Sequence, residues 1–165
     1  KINMKTYIIV FLLAVTAALY SQKSNSVIAE VKSSEVSVKL HQLLDFTNPD
    51  SKPKDGHKFI VAEITLDNFS SKAVAMGSEY TMSITIKDDK GNEYRSGLKG
   101  AGIVSSYLIK NKSYQQDQSA NKLSYDENFP AKTKAKSLLC GFEIPKDAKI
   151  VSFGLKKKSL WSTIK

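Results

Sequence analysis

Cysteine is almost missing from this chain. Of 165 residues only Cys140 carries a thiol, so no intrachain disulfide can form and an apolar core must hold the fold by itself. Arginine is as scarce: Arg95 stands alone, although lysines bring the formal charge to +9. Sequence-specific nucleic-acid readers favour the planar guanidinium for bidentate contacts to bases and phosphates, so that function class is not expected. Histidine occurs twice, as His41 and His57, and neither stands at a ligand spacing with Cys140 or a carboxylate. A zinc site needs about four such ligands within tetrahedral reach. Gly97, Gly100 and Gly102 do not follow a dinucleotide or phosphate-loop spacing, and no nucleophile-elbow pattern occurs. No apolar run reaches the roughly 20 residues that a membrane-spanning helix requires. These gaps remove the common catalytic frameworks. A non-enzymatic protein without cofactor is expected, with a hydrolase hidden in an illegible stretch as the less favoured alternative.

The longest apolar run, Tyr7 to Ala18, follows Lys5 and ends near Ala17-Ala18-Leu19-Tyr20-Ser21-Gln22. A basic start, a short apolar segment and small residues at a cleavage point describe a secretory signal peptide over residues 1–21. The bland alternative is a buried N-terminal element. No cysteine stands at the cleavage point to take a lipid, so a secreted or periplasmic chain without a transmembrane anchor is expected. Cleavage would remove Lys1 and Lys5 and lower the surplus from +9 to +7. That surplus favours solubility and attraction to anionic surfaces, without proving a partner.

Hydrophobic patterning divides the rest into a polar leader, 22–34, in which Val27 to Val31 reads as a short edge strand, and a domain, 35–165. Val36, Val38 and Leu40 alternate on one strand face; Leu43, Leu44 and Phe46 prolong the apolar character and the alternation breaks there, which predicts a bulge or register change. Phe59 to Asn68 is apolar on both faces and should be a central strand. Tyr80 to Ile86 alternates throughout and predicts a half-buried strand, turned by Asp88-Asp89-Lys90-Gly91-Asn92 into Glu93–Arg95. Leu138, Cys140, Phe142 and Ile144 share a face, Pro145 ends their strand, and Ile150 to Lys156 follows. In Ser159–Ile164, Trp161 is expected to cover part of the core. Ser96 to Asn128 is least legible: Ile103 to Ile109 reads as a strand or a helical turn, and no convincing amphipathic helix stands out. The expected fold class is all-β, an antiparallel sandwich of about seven to nine strands.

The order of several short segments carries a resemblance. These are Asp67-Asn68 at a strand end, Asp89-Lys90-Gly91-Asn92-Glu93-Tyr94 at a hairpin, Phe129-Pro130-Ala131-Lys132 at a turn, and Gly141-Phe142-Glu143-Ile144-Pro145-Lys146-Asp147-Ala148 at a strand exit. Together they resemble the bacterial extracellular domains labelled "telomeric repeat-binding factor 2"-like, whose function is unknown. The resemblance spans Glu35 to Leu155 and implies an immunoglobulin-like sandwich, similar to a mycobacterial secreted immunoprotective antigen. Ala131 departs from it where family members often carry Gly, and Ser96–Asn128 is longer than the family pattern. It implies no active site.

Two surface features are candidates for binding. Lys132, Lys134 and Lys136 alternate, so on a strand their ammonium groups would line one face and could hold an anionic polymer such as lipopolysaccharide or an acidic glycan. Tyr107, Tyr114 and Tyr125 lie in the illegible insertion, and tyrosine is enriched at contact surfaces; an unknown extracellular protein is the other candidate partner. Structural readings stand beside both: a solvated, aggregation-resistant strand edge for the lysines, packing for the tyrosines. Asp88 to Glu93 superficially suggests calcium, alone or with Asp126 and Glu127, yet lacks the ligand alternation of a calcium loop. Cys140 is expected buried and inert. Asn68-Phe69-Ser70 and Asn111-Lys112-Ser113 match the glycosylation sequon and are expected to be idle.

Overall fold

Strand 57–68 is apolar on both sides, and the molecule is layered on both sides of it. The structure, a computed structural model, describes residues 26–48, 51–77, 79–111 and 128–165. In chain order its strands are β1 (Ala29–Lys32), β2 (Val36–Phe46), β3 (His57–Asn68), β4 (Val74–Ala75), β5 (Ile84–Asp88), β6 (Glu93–Arg95), β7 (Asn128–Phe129), β8 (Lys136–Pro145), β9 (Ile150–Leu155) and β10 (Leu160–Thr163). One helix, α1 (Gly97–Lys110), lies between β6 and β7, and short 3-10 turns occupy Thr81–Ser83 and Lys156–Lys158. The described residues form ten strands, against the seven to nine expected, and β1 is an edge strand within residues 22–34.

Among the described residues all strand pairings are antiparallel. One four-stranded sheet has the order β1-β2-β3-β8, the other β10-β9-β5-β6, and β4 with β7 makes a two-stranded bridge. Ile60, Ala62, Ile64 and Leu66 of β3 pack with Val36, Val38 and Leu40 of β2, with Leu138, Cys140, Phe142 and Ile144 of β8, and with Ile84, Ile86, Phe153 and Leu155 of the other sheet. This is the main core, and Cys140 lies in it fully buried. A bulge does interrupt β2, but before Leu43 rather than at Leu43–Phe46: Leu40 pairs with Ile64 and Gln42 with Glu63, so His41 is the extra residue.

The opposite face of β3 meets the helix. Phe59 and Val61 form a second cluster with Phe46, Leu139, Ile103 and Val104, and Tyr107 and Leu108 pack against it. The mostly β, antiparallel architecture is consistent with the all-β expectation, with one helix covering part of the first sheet's outer face. Gly97-Leu98-Lys99-Gly100-Ala101-Gly102 has poor helix propensity, and apolar residues surround the helix rather than forming one stripe, so its amphipathic signal is faint.

Three further expectations change. Tyr80 to Ser83 do not continue β5; Ser83 N–H donates to the Tyr80 carbonyl (2.9 Å) and the Thr81 hydroxyl to the Gly77 carbonyl (2.9 Å). These local bonds give the backbone an alternative to the ladder. Trp161 does not cover the core. It pairs with Gly154 of β9, where a Cβ would sit 2.5 Å from the indole, and the Lys87 ammonium lies 3.6 Å from the ring centroid. Leu160 and Ile164 turn toward the core instead. Finally, Lys132 and Lys134 precede β8, in a turn where Lys132 and Ala135 have φ of 56° and 55°. Only Lys136 belongs to the strand, so the three lysines do not alternate along one strand face.

Candidate interaction surface

The lysine segment is fastened to the end of β3. Asn68, fully buried, directs its amide nitrogen at the carbonyls of Lys72, Phe129 and Pro130 at 2.9–3.0 Å, while its side-chain oxygen accepts from the Ser70 N–H and hydroxyl. A side-chain nitrogen engaged by three carbonyls is closed to glycosylation. Asp67 accepts from the Ala135 N–H at 2.7 Å and forms an ion pair with Lys39 at 2.5 Å. Burial works against the Asp67 charge, yet these donors and the nearby Lys134 hold its pKa below the ordinary carboxylate value. The hydrogen bond to Asp67 raises the pKa of Lys39 in turn. Lys132 donates to the Phe69 carbonyl at 2.7 Å. These bonds tie the segment that carries Lys132 and Lys134 to the end of β3.

The Asp88 turn is likewise occupied by its own donors. Asp88 accepts from the N–H groups of Lys90 and Asn92, from the Asn92 side-chain amide and from the Tyr94 hydroxyl, at 2.7–3.0 Å. Burial alone would raise its pKa, but those four donors lower it to about 2. Burial, then the bond to Asp88, pushes Tyr94 up to about 12. Gly91, at φ 84°, closes the turn. Among the described residues no group of three or more His, Cys, Asp or Glu could hold a metal ion. Asp126 and Glu127 lie outside the described residues. His41 contacts the Thr65 hydroxyl at 2.8 Å and the Ser26 carbonyl at 3.2 Å, and His57 the Asp55 carbonyl at 3.0 Å.

Tyr107 is the one tyrosine of the insertion whose position is described; Tyr114 and Tyr125 lie outside the described residues. Its ring meets Phe46 edge-on, with centroids 5.4 Å apart and planes at 81°. Burial, and secondarily the charge of Glu63, raises the pKa of its phenol. Tyr107 thus anchors α1 to the first sheet. At the other end of the helix, Gly100 lies against Gly141 of β8: a Cβ on Gly100 would come within 2.2 Å of the Gly141 carbonyl oxygen. Glu143 fastens the same end by accepting from the Lys99 ammonium and from the Lys54 N–H at 2.7 Å. Burial opposes its ionisation, and the two donors still hold its pKa below the ordinary value.

The outward face of α1 is what the sequence did not announce. Leu98, Gly102, Ser105 and Ile109 recur at steps of four, three and four residues, all exposed, with Ala101 beside them. Leu98 is 87% exposed and Ile109 64%. Not one of these five side chains is charged, although solvent-facing helix surfaces usually are. No helix among the described residues is long and apolar enough to cross a membrane.

No family model and no curated protein matches the chain. A solved structure does: the crystal structure of a conserved hypothetical protein from Bacillus anthracis, 19% identical, aligned over 85% of this chain and 94% of that one with a TM-score of 0.59. The chain shares that protein's fold. At 19% identity the likeness speaks for the fold alone, and the functional reading must come from the surface.

Proposed function

We propose that this chain is an exported, non-enzymatic immunoglobulin-like domain that binds an extracellular partner through the outward face of α1. The observation that carries the binding reading is the pair Leu98 and Ile109, held in solvent on an uncharged helix face by a rigid sheet. Isolated apolar side chains on a surface are ordinary, but an aligned, charge-free stripe on an anchored helix suits contact. Two facing antiparallel sheets with non-sequential strand neighbours are compatible with the immunoglobulin-like reading. The N-terminal pattern of Lys5, Tyr7–Ala18 and Ser21 supports export.

Two measurements test this. Expressed in a bacterium, the full chain should be recovered outside the cytoplasm with residues 1–21 removed, as shown by intact mass; an uncleaved cytoplasmic product removes the export reading. A photo-crosslinking residue at position 98 should form adducts on the producing cell or its envelope, while the same residue at Lys157 forms none. No adduct from position 98 removes the binding reading.

A further inference from the structure

Among the described residues the strongest unpartnered feature is the α1 face, and its size and charge narrow what can cover it. We infer that it docks on an anionic lipid surface, with Leu98 and Ile109 entering the headgroup boundary and lysines at both helix ends facing the lipid charge. This deepens the binding reading above and rests on it.

A 14-residue helix is about 21 Å long and 10–12 Å across. One face-to-face contact with a protein helix would bury on the order of 800 Å² in total, short of the roughly 1,200–2,000 Å² of stable protein pairs. A second copy would also bring helices bearing two lysines and no acid against each other. A lipid surface has neither difficulty. It is flat and continuous, so a helix lying along the outside of a sheet can touch it without a complementary groove, and its negative charge complements the rim.

That rim is basic at both ends. At the start of α1, Lys99 and the Lys54 backbone converge on the single carboxylate of Glu143, whose side chain is 8% exposed; Lys54 adds a positive charge there. At the end, Lys110 reaches the Thr47 carbonyl at 3.3 Å and lies 5.8 Å from the Phe46 ring centroid, a placement that leaves its charge without a carboxylate partner among the described ion pairs. Between the ends come Ala101, Gly102 and Ser105, too small to hold the backbone away from a surface. Long lysine side chains can lay their methylenes along the apolar boundary while their ammonium groups reach phosphate.

The test is co-sedimentation of the mature protein with vesicles of phosphatidylcholine mixed with phosphatidylglycerol, beside vesicles of phosphatidylcholine alone. Binding is expected to the mixed vesicles only, weakening in high salt. The double variant Leu98→Ser, Ile109→Ser changes two exposed positions, so circular dichroism should match the parent, and its binding should fall roughly tenfold or more. Lys110→Gln should weaken binding, and Lys156→Gln with Lys157→Gln, in the 3-10 turn before β10, should not. Absence of sedimentation with the mixed vesicles overturns the inference. So does undiminished binding by the double serine variant, which would reduce the effect to net charge. A concentration-dependent dimer abolished by that variant, without vesicle binding, would make a second copy the occupant. Crosslinks from position 98 to protein without vesicle binding would sink the lipid occupant and leave the binding reading standing; neither crosslinks nor vesicle binding would remove both.

Discussion

At the scale of single residues, the polar groups that looked suitable for chemistry spend their hydrogen bonds within the fold. Asp88 is the clearest instance. Its charge is stabilised by four donors in the fold, and its pKa of about 2 lies below the ordinary 3.8. A depressed carboxylate contributes stability that is complete above its unfolded pKa and is lost as pH falls through its folded one. The contribution of Asp88 should therefore fade between about pH 4 and pH 2. Denaturant unfolding at pH 5 and at pH 2.5 should show a larger loss for the parent than for Asp88→Asn, which should also be less stable at pH 5. Equal losses would mean the four donors do not hold the charge. Asn68 makes the same point without charge. Its sequon is legible in one dimension, but whether its nitrogen is free depends on Phe129 and Pro130, some sixty residues away in the chain.

At the scale of elements, legibility followed burial on one face. The period-2 runs at Val36–Leu40 and Leu138–Ile144 were readable because one side of each strand sees only the main core. The central place of β3 was readable because both its faces are apolar, yet what covered the second face was not. That cover, α1, was hidden by its glycines and by the apolar residues on its outward side. Its seat depends on Gly100 and Gly141, where backbones touch. A Cβ on Gly141 would come within 2.5 Å of the Gly100 carbonyl oxygen and 2.8 Å of the Ile103 Cβ. Gly141→Ala should thus cost about 1–3 kcal/mol through overpacking, read as a shift of the urea midpoint. A change within about 0.5 kcal/mol, the range of ordinary surface substitutions, would show that the helix does not sit there. The lysine run misled for a related reason. Alternating Lys132, Lys134 and Lys136 imitates a strand, but positive φ at Lys132 and Ala135 turns the backbone to meet Asp67 and Asn68.

At the scale of the whole molecule, two clusters on opposite faces of one sheet have different duties. The main core, without a disulfide, carries the stability, so Phe142→Ala, at 1% exposure, should cost about 3–5 kcal/mol. A loss under about 1 kcal/mol would contradict the placement of its face. The smaller cluster holds α1 in position and so sets where Leu98 and Ile109 are displayed. The sequence by itself determined the β-rich class, the central strand, the presence though not the position of a bulge in β2, the Gly91 hairpin and the burial of Cys140, because each follows from local periodicity, turn chemistry or one-sided burial. Only the tertiary structure decided that a helix covers the first sheet, that Trp161 lies over Gly154, and that an uncharged stripe faces outward. Those depend on contacts between residues far apart in the chain, which no local pattern encodes.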